Sequence, residues 1–275
     1  MTIADTDSLW HYVPDSELFA RVESGGDLDG EALADNTRIE VKTHKGDTIT
    51  APLLDVDTSL IDGAPPIHKA VKYKGRKNYS GNAYVVTGNR SVPYESLLEM
   101  SRIMIADFDP AVTAINPQAF RLLRRDGDRV LARYPDLFLL RDGLPPLVVD
   151  ITPESKIHKP DRIASFTWTA AVVRTEGWDY QMWCGADPMA LGNLTLLMSA
   201  RRPDVVDQRI VDELKSSARC GEMHEVESSI TDRHPLIFVR PALLHLIWTN
   251  HFRFDMSEHL QGSTMLHRTG GLCDH

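Results

Sequence analysis

The chain has 275 residues, of which 42% are hydrophobic and 25% charged, an ordinary composition for a soluble globular protein with one large or two small domains. The formal net charge of −9 argues against a protein that coats nucleic acid with its whole surface, but it allows a local basic face beside an acidic metal-binding centre. No apolar run approaches the length of a membrane span, and the acidic N-terminus lacks a signal-peptide pattern. We therefore expect a cytoplasmic protein that does not contact a membrane.

The first 35 residues are rich in Asp, Glu, Gly and Ser and have few periodic apolar positions, which predicts a flexible acidic leader over residues 1–35. From Thr37, the sequence TRIEVKTHKGDTIT alternates apolar and polar residues on either side of Lys-Gly-Asp. That pattern predicts a β-hairpin at the start of the main domain.

The densest basic run lies within residues 67–82, where aromatic residues are interleaved with cations. The cations are Lys69, Lys72, Lys74, Arg76 and Lys77. Aromatic rings among cations are typical of a surface that contacts the phosphate backbone of DNA, and we predict DNA binding here. A solvated hairpin edge protected by lysines explains the same run equally well.

Residues 94–108, YESLLEMSRIMIADF, predict a mostly buried helix that Pro110 ends. It carries Glu95 and Glu99 one turn apart, and a carboxylate on a buried helix needs a partner or a metal. Three strands follow, AVTAINPQAFRLL, RVLARYPDLFLL and LPPLVVDIT, with hairpin signals at Asp126-Gly127 and Asp142-Gly143. A helix ending near Gly177 and a strand, YQMWCG, complete an α-β-β-β-α-β order, which predicts an α/β fold with a mixed sheet flanked by helices.

From about Asp187 the pattern changes to two helices separated by Pro203, followed by a helix that we expect Pro241 to open. An alternating pair of segments around Gly262 comes next. A helix followed by a two-stranded wing predicts a C-terminal helical, winged-helix-like module over residues 187–275. A helical cap that only completes the core explains the same pattern.

Three carboxylates stand out by their context. Glu99 is on the buried helix, Asp136 begins a strand, and Asp150 ends the apolar run Leu-Val-Val. Carboxylates on two strands joined by a tight hairpin can converge on one divalent ion, and a helix carboxylate beneath them can complete the site. Mg²⁺ (or Mn²⁺) prefers oxygen ligands and supports phosphodiester hydrolysis, so we predict that the three bind it. Alternatively, Asp136 is a turn residue and Asp150 caps a helix beginning at Pro153.

This spacing resembles the PD-(D/E)xK nuclease pattern, with Pro135-Asp136 as the PD and residues 150–152 as the triplet. The period of a strand places Asp150 and Thr152 on one face and Ile151 on the other, toward the core. Thr152 stands where the pattern has its lysine.

Over residues 67–185 the chain further resembles the TnsA-like endonucleases, the DNA-cutting subunits of heteromeric transposases. The matching positions are Leu98-Glu99, Val112, Ile115, Gln118 and residues 120–122, 136–139 and 150–153. The resemblance implies a restriction-endonuclease-like domain over residues 36–186 in which Glu99, Asp136 and Asp150 are catalytic carboxylates and metal ligands. It places Thr152 at the catalytic lysine position, and Lys156, with Lys159, is the nearest lysine that could act in its place.

The activity that this resemblance implies is Mg²⁺-dependent cutting of one DNA strand at transposon ends. A DDE-type transposase subunit would cut and join the other strand, and an AAA+ ATPase would regulate them. Two alternatives stay open. One is a stand-alone restriction-type or repair nuclease. The other is a catalytically degenerate subunit that bridges DNA and transposase, which the missing lysine favours.

Overall fold

In a computed structural model of the chain, the structure describes residues 9–13, 30–68, 79–157, 159–217 and 219–270. These residues fall into two compact units. The larger contains residues 11–107 and 111–185, and the smaller contains residues 9–10, 108–110 and those from 186 onward. The domain boundary predicted between residues 186 and 187 adjoins the observed division.

The described part of the chain up to residue 186 forms eleven strands and three α-helices. In chain order they are β1 (Trp10–Val13), α1 (Gly30–Asp35), β2 (Thr37–Lys42), β3 (Thr48–Pro52), β4 (Gly81–Val85), β5 (Arg90–Tyr94), α2 (Leu97–Phe108), β6 (Val112–Pro117), β7 (Phe120–Asp126), β8 (Arg129–Arg133), β9 (Leu137–Arg141), β10 (Leu144–Ile151), α3 (Pro160–Thr175) and β11 (Asp179–Ala186). The main sheet has the order β1-β11-β10-β9-β6. Its β10–β11 pair is parallel and its β9 pairs are antiparallel, so the sheet is mixed as predicted.

Two short elements lie inside the segment for which the sequence predicts a flexible leader. They are β1, which adds an edge strand to the main sheet, and α1, in which Ala34 is buried. A Cβ on Gly30 would lie 3.1 Å from the carbonyl oxygen of Ala171, so glycine lets α1 approach α3 closely. The leader prediction is therefore corrected for these residues, because each element is too short to show a periodic pattern. Residues 1–8 and 14–29 lie outside the described residues.

A long two-stranded ribbon connects two sheets of the larger unit. Its first part, β6 with β9, belongs to the main sheet, and its continuation, β7 with β8, belongs to an antiparallel sheet of order β3-β2-β7-β8. One strand of the ribbon changes sheets at Gln118, whose φ of 45° is left-handed, and the other changes over residues 134–136. The hairpins predicted at Lys-Gly-Asp, Asp126-Gly127 and Asp142-Gly143 are confirmed. The corner at Gln118 was not predicted, because an alternating pattern does not record where a strand changes sheets.

Helices pack against both faces of the main sheet. On one face, α3 joins an apolar core that includes Phe166, Phe138 and Val148 together with side chains of the second sheet. On the other, Arg102 of α2 donates from Nη2 to Oε1 of Gln181 in β11 at 3.0 Å. The prediction that residues 94–108 form a mostly buried helix is confirmed for α2.

The smaller unit contains four helices and three short strands among its described residues. They are α4 (Pro188–Met198), α5 (Gln208–Ser217), β12 (Gly221–Glu222), α6 (Met223–Ser228), α7 (Leu236–Trp248), β13 (Phe252–Arg253) and β14 (Met265–Arg268). The predicted antiparallel pair is present as β13 and β14, and β12 extends it to the order β12-β14-β13. The prediction that Pro241 opens a helix is wrong. Helix α7 runs through Pro241 because buried side chains such as Val239 and Leu243 continue its packed face.

Across the described residues, no helix combines the length and the apolar character that crossing a membrane requires.

Candidate functional site

The candidate site lies in the larger unit, where the ribbon changes sheets. Leu137 of β9 is paired with Val149 of β10. Asp136 directly precedes Leu137 and Asp150 directly follows Val149, so antiparallel pairing brings both aspartates to the same end of adjacent strands. The corner is fixed by a hydrogen bond in which the backbone N of Gln118 donates to the carbonyl oxygen of Asp136 at 2.9 Å.

Asp136 is half-buried, and the positive charge of Arg133 only partly offsets the negative charges around it. Its Oδ2 accepts a hydrogen bond from the backbone N of Ile151 at 2.6 Å. Burial and the negative charge of Asp150 raise the pKa of Asp136 well above its ordinary value, and the charge of Glu99 adds to this. The Ile151 hydrogen bond and the charge of Arg133 act in the opposite direction without cancelling the rise. A nearby cation, or a proton, would relieve this excess of negative charge.

Asp150 is fully buried and has partners for both carboxylate oxygens. The guanidinium of Arg133 forms an ion pair with its Oδ1, with Nη2 at 2.5 Å, and the hydroxyl of Tyr180 donates to its Oδ2 at 2.8 Å. Burial and the charge of Asp150 raise the pKa of Tyr180 well above its ordinary value, so the hydroxyl keeps the proton that it donates. Both oxygens of Asp150 thus have protein partners, and its role as a metal ligand stays a prediction.

Arg133 is the residue that the sequence analysis missed at this point. Burial is the strongest single influence and lowers the pKa of Arg133, but the electrostatic interactions with Asp150, Tyr180 and Asp136 and the hydrogen bond to Asp150 together outweigh it, so the net pKa is raised and the guanidinium stays charged. Its Cζ lies 4.9 Å from the centre of the Phe166 ring, which supports the cation from the side of α3. Arg133 is three residues before Asp136 in the sequence, but only the fold shows that its partner is Asp150.

Glu99 caps the helix that carries it. Its Oε2 accepts from the backbone N of Glu95 at 2.8 Å, and its Oε1 accepts from the hydroxyl of Ser96 at 3.1 Å. The Ser96 hydroxyl in turn accepts from the backbone N of Glu99 at 3.1 Å, so the two side chains form a variant of the Ser-x-x-Glu capping box. Glu99 is half-buried, and its charge acts on Asp136.

The three predicted ligands are therefore not equivalent. In the part of the chain that the structure describes, no three His, Cys, Asp or Glu side chains are grouped so that they could hold one metal ion. Asp150 forms an ion pair with Arg133, but its charge, and more weakly that of Glu99, still raises the pKa of Asp136. The metal site predicted on these three carboxylates stays a prediction.

Thr152, at the predicted lysine position, is buried and contacts a cation from α3. Its Oγ1 accepts from Nη1 of Arg162 at 3.4 Å, and its backbone N donates to the carbonyl oxygen of Trp183 at 3.0 Å. Asp150 and Thr152 are both buried while Ile151 is half-buried, so the face that carries the two predicted site positions is the more enclosed one. The reason is that α3 and Arg133 cover the face of β10 that carries Asp150.

Lys156, the predicted substitute for the missing lysine, lies in a short 3-10 turn, Glu154–Lys156, directly after β10. Its side chain is exposed, and no ion pair joins its ammonium to a carboxylate among the described residues. Arg162, not Lys156, is thus the cation in contact with the Thr152 position. Lys159 directly precedes α3 and is also exposed.

The predicted DNA-binding cations cannot be placed in this fold. Lys69, Lys72, Lys74, Arg76 and Lys77 all lie in residues 69–78, outside the described residues. The flanking residues His68 and Tyr79 are described, and both are exposed.

Two comparisons with known proteins give no match: no protein-family model matches the chain, and no curated protein is similar to it.

Proposed function

We propose that this chain is the DNA-cutting subunit of a heteromeric transposase, a Mg²⁺-dependent endodeoxyribonuclease that hydrolyses one strand at transposon ends. The observation that carries the proposal is the Asp136 carboxylate at the ribbon corner. Burial and two neighbouring carboxylates raise its pKa, as expected for a ligand that needs a cation. The resemblance to TnsA-like endonucleases supplies the substrate.

The element order of the larger unit supports a restriction-endonuclease-like fold. Helix α2 precedes β6, β9 and β10, which pair in sequence, and α3 then crosses over to β11. The pairing of β10 with β11 is parallel, which this crossover permits. In this arrangement Asp136 and the end of β10 lie together, as a two-strand carboxylate motif requires.

Asp136 and Glu99 would hold the metal in this proposal. Mg²⁺ is commonly bound by one or two carboxylates together with substrate phosphate, so a third protein carboxylate is not required. When bound, it polarises the phosphate and lowers the pKa of a water molecule. Asp150 acts as a positioning residue: by pairing with Arg133 and Tyr180 it fixes the end of β10, from which Ile151 N–H orients Asp136.

The smaller unit supports the partner part of the proposal. Its order from α5 onward is helix, strand, helix, helix, strand, strand, with the first strand at one edge beside the last, which is the order of a winged helix. Helix α7 begins with three exposed apolar side chains, Leu236, Ile237 and Phe238. An apolar start suits contact with protein better than contact with DNA phosphates. We assign this module to binding the DDE-type transposase, with an AAA+ ATPase as the further regulator.

A second candidate is a catalytically degenerate subunit that bridges DNA and transposase. The observation that favours it is the buried Asp150–Arg133 pair, in which a guanidinium supplies positive charge where the family pattern has a metal ligand. Thr152 in place of lysine favours it as well.

A cleavage assay decides between the two candidates. Transposon-end DNA is incubated with the full chain and its cognate transposase, with Mg²⁺ or with EDTA. We expect Mg²⁺-dependent cutting that Asp136→Ala lowers on the order of a hundredfold or more, since an electrostatic group at the reacting centre is lost. The matched control is Asp142→Ala, an exposed carboxylate at the opposite end of the same hairpin.

Equal strand cutting by wild type and Asp136→Ala would rule out the enzyme and leave the bridging subunit. Cutting without transposase and without an end sequence would favour a stand-alone nuclease.

A further inference from the structure

A cavity of about 390 Å³ opens beside the candidate site, within the larger unit. Four proline rings and one tyrosine ring dominate its wall. They are the side chains of Pro65, Pro66, Pro93, Pro117 and Tyr94. Lys42 adds a cation and His68 a further ring. A mostly apolar cavity of this size with a few polar groups is typical of a small-ligand site.

The β4–β5 hairpin builds the aromatic part of this wall. Gly81 is paired with Tyr94 across the hairpin. A Cβ on Gly81 would lie 2.6 Å from the hydroxyl oxygen of Tyr94 and 2.8 Å from its Cζ, so the ring lies directly over the glycine. Any larger residue at Gly81 would displace the Tyr94 ring, and the orientation of that ring therefore depends on glycine.

The cavity shares two residues with the candidate site. Gln118 lines it, and the backbone N of Gln118 donates to the carbonyl oxygen of Asp136. Glu95 lines it as well, and the backbone N of Glu95 donates to Oε2 of Glu99. The cavity is thus one hydrogen bond away from the Glu99 carboxylate and one from the backbone of Asp136, the two residues that would hold the metal. Gln118 also holds a left-handed φ of 45°, a strained conformation that tends to occur at functional sites.

We propose that this cavity binds one unpaired nucleotide of the DNA, with its base against the Tyr94 and proline rings and a phosphate toward Lys42. Every base has a flat face that stacks on an aromatic ring, and a lysine pairs with phosphate without reading sequence. The proposal rests on the proposed function for its DNA context. It adds that the DNA end is frayed at the site, so that one base leaves its stack next to the scissile phosphodiester.

The test uses the full chain in EDTA, without transposase, so that neither metal nor partner contributes. The probe is a short single-stranded oligonucleotide with one 2-aminopurine, whose fluorescence reports stacking. We expect Tyr94→Ala to weaken binding roughly 5- to 150-fold, the range for loss of one base–aromatic stack. Tyr94→Phe, which keeps the ring, should bind as the wild type does. Gly81→Ala should weaken binding by displacing the same ring.

Tyr84→Ala is the matched control, because Tyr84 is on the same hairpin but its hydroxyl donates to Asn89, outside the cavity wall. Thermal unfolding of each variant verifies that it is folded. Equal affinity of wild type and Tyr94→Ala would overturn the proposal. So would displacement of the probe by inorganic phosphate alone, or tighter binding of a proline-rich peptide, which also favours aromatic grooves.

The nucleotide site and the nuclease activity can be refuted independently of each other. Probe binding that depends on Tyr94, with no Mg²⁺-dependent cutting, would leave the nucleotide site standing and remove the enzyme. Cutting that depends on Asp136, with no effect of Tyr94 on the probe, would do the reverse.

Discussion

Asp136 and Asp150 stand at the same end of neighbouring strands, but the protein neutralises only one of them. Asp150 is buried with a guanidinium and a phenol hydroxyl on its oxygens. Asp136 has a backbone N–H and two negative neighbours, and its pKa is raised as a result. The position of a carboxylate in a sequence motif therefore identifies it as a candidate metal ligand, whereas the surrounding charges decide which candidate still needs a cation.

The largest expected effect comes from removing the cation that neutralises Asp150. Arg133→Ala would leave the Asp150 carboxylate buried without its cation, which typically costs about 3–5 kcal/mol of unfolding free energy. Urea unfolding followed by circular dichroism measures this. Arg209→Ala is the control: its ion pair with Asp207 is on the surface, with the Arg209 side chain 88% exposed, and such pairs contribute about 1 kcal/mol or less. Similar losses for the two variants would show that the Asp150 pair is not structural.

A second, intermediate effect concerns the cation beside Thr152. If Arg162 supplies the charge that the family's lysine supplies, Arg162→Gln should lower Mg²⁺-dependent cutting on the order of ten- to a hundredfold. Lys156→Ala should leave cutting unchanged, because the exposed Lys156 makes no ion pair with a described carboxylate. Single-turnover rates on end DNA measure both variants. The reverse pattern would assign the role to Lys156.

The smallest expected effect concerns the stability of the folded chain at Asp136. Since the pKa of Asp136 is raised in the folded state, the folded chain binds more protons than the unfolded chain between the ordinary carboxyl pKa and the raised one. Stability contributed at this site therefore falls as pH rises through that window. In EDTA at pH 7, we expect Asp136→Asn to stabilise the chain by on the order of 1 kcal/mol.

That gain should disappear below the ordinary carboxyl pKa, where the wild-type side chain is protonated in both states. It should also shrink when Mg²⁺ is added, because only the wild type gains a ligand. Urea midpoints across pH, with and without Mg²⁺, measure it. A destabilised Asp136→Asn in EDTA would show that the carboxylate is already compensated.

The features that could be predicted from the sequence are those formed by residues close together in the chain. The Asp-Gly turns fix the hairpins, and the β9–β10 hairpin by itself brings Asp136 and Asp150 to one end of the sheet. The partners that neutralise Asp150 could not be predicted from the sequence in this way. Arg133 reaches it only because β8 belongs to a second sheet, and Tyr180 comes from a strand beyond α3.

Glu99 and the cavity differ in how much of their surroundings can be predicted from the sequence. Glu99 has a local sequence signal, because Ser96 stands three residues before it. A serine and a glutamate at this spacing predict a helix cap, and the hydrogen bond between their side chains follows from that pattern. The cavity has no local signal. Pro65, Tyr94 and Pro117 are spread over more than fifty residues of sequence, and only the corner at Gln118 brings them together.

The shared ribbon has a mechanical consequence. A paired ribbon resists stretching and shear along its ladder, and it bends most easily where the ladder turns a corner. Since side chains of the second sheet pack into the same apolar core as α3, a load on the tip of β7 and β8 would reach the main sheet both through this corner and through the core. The Gln118–Asp136 hydrogen bond lies at that corner and is therefore one of the backbone links that such a load would strain.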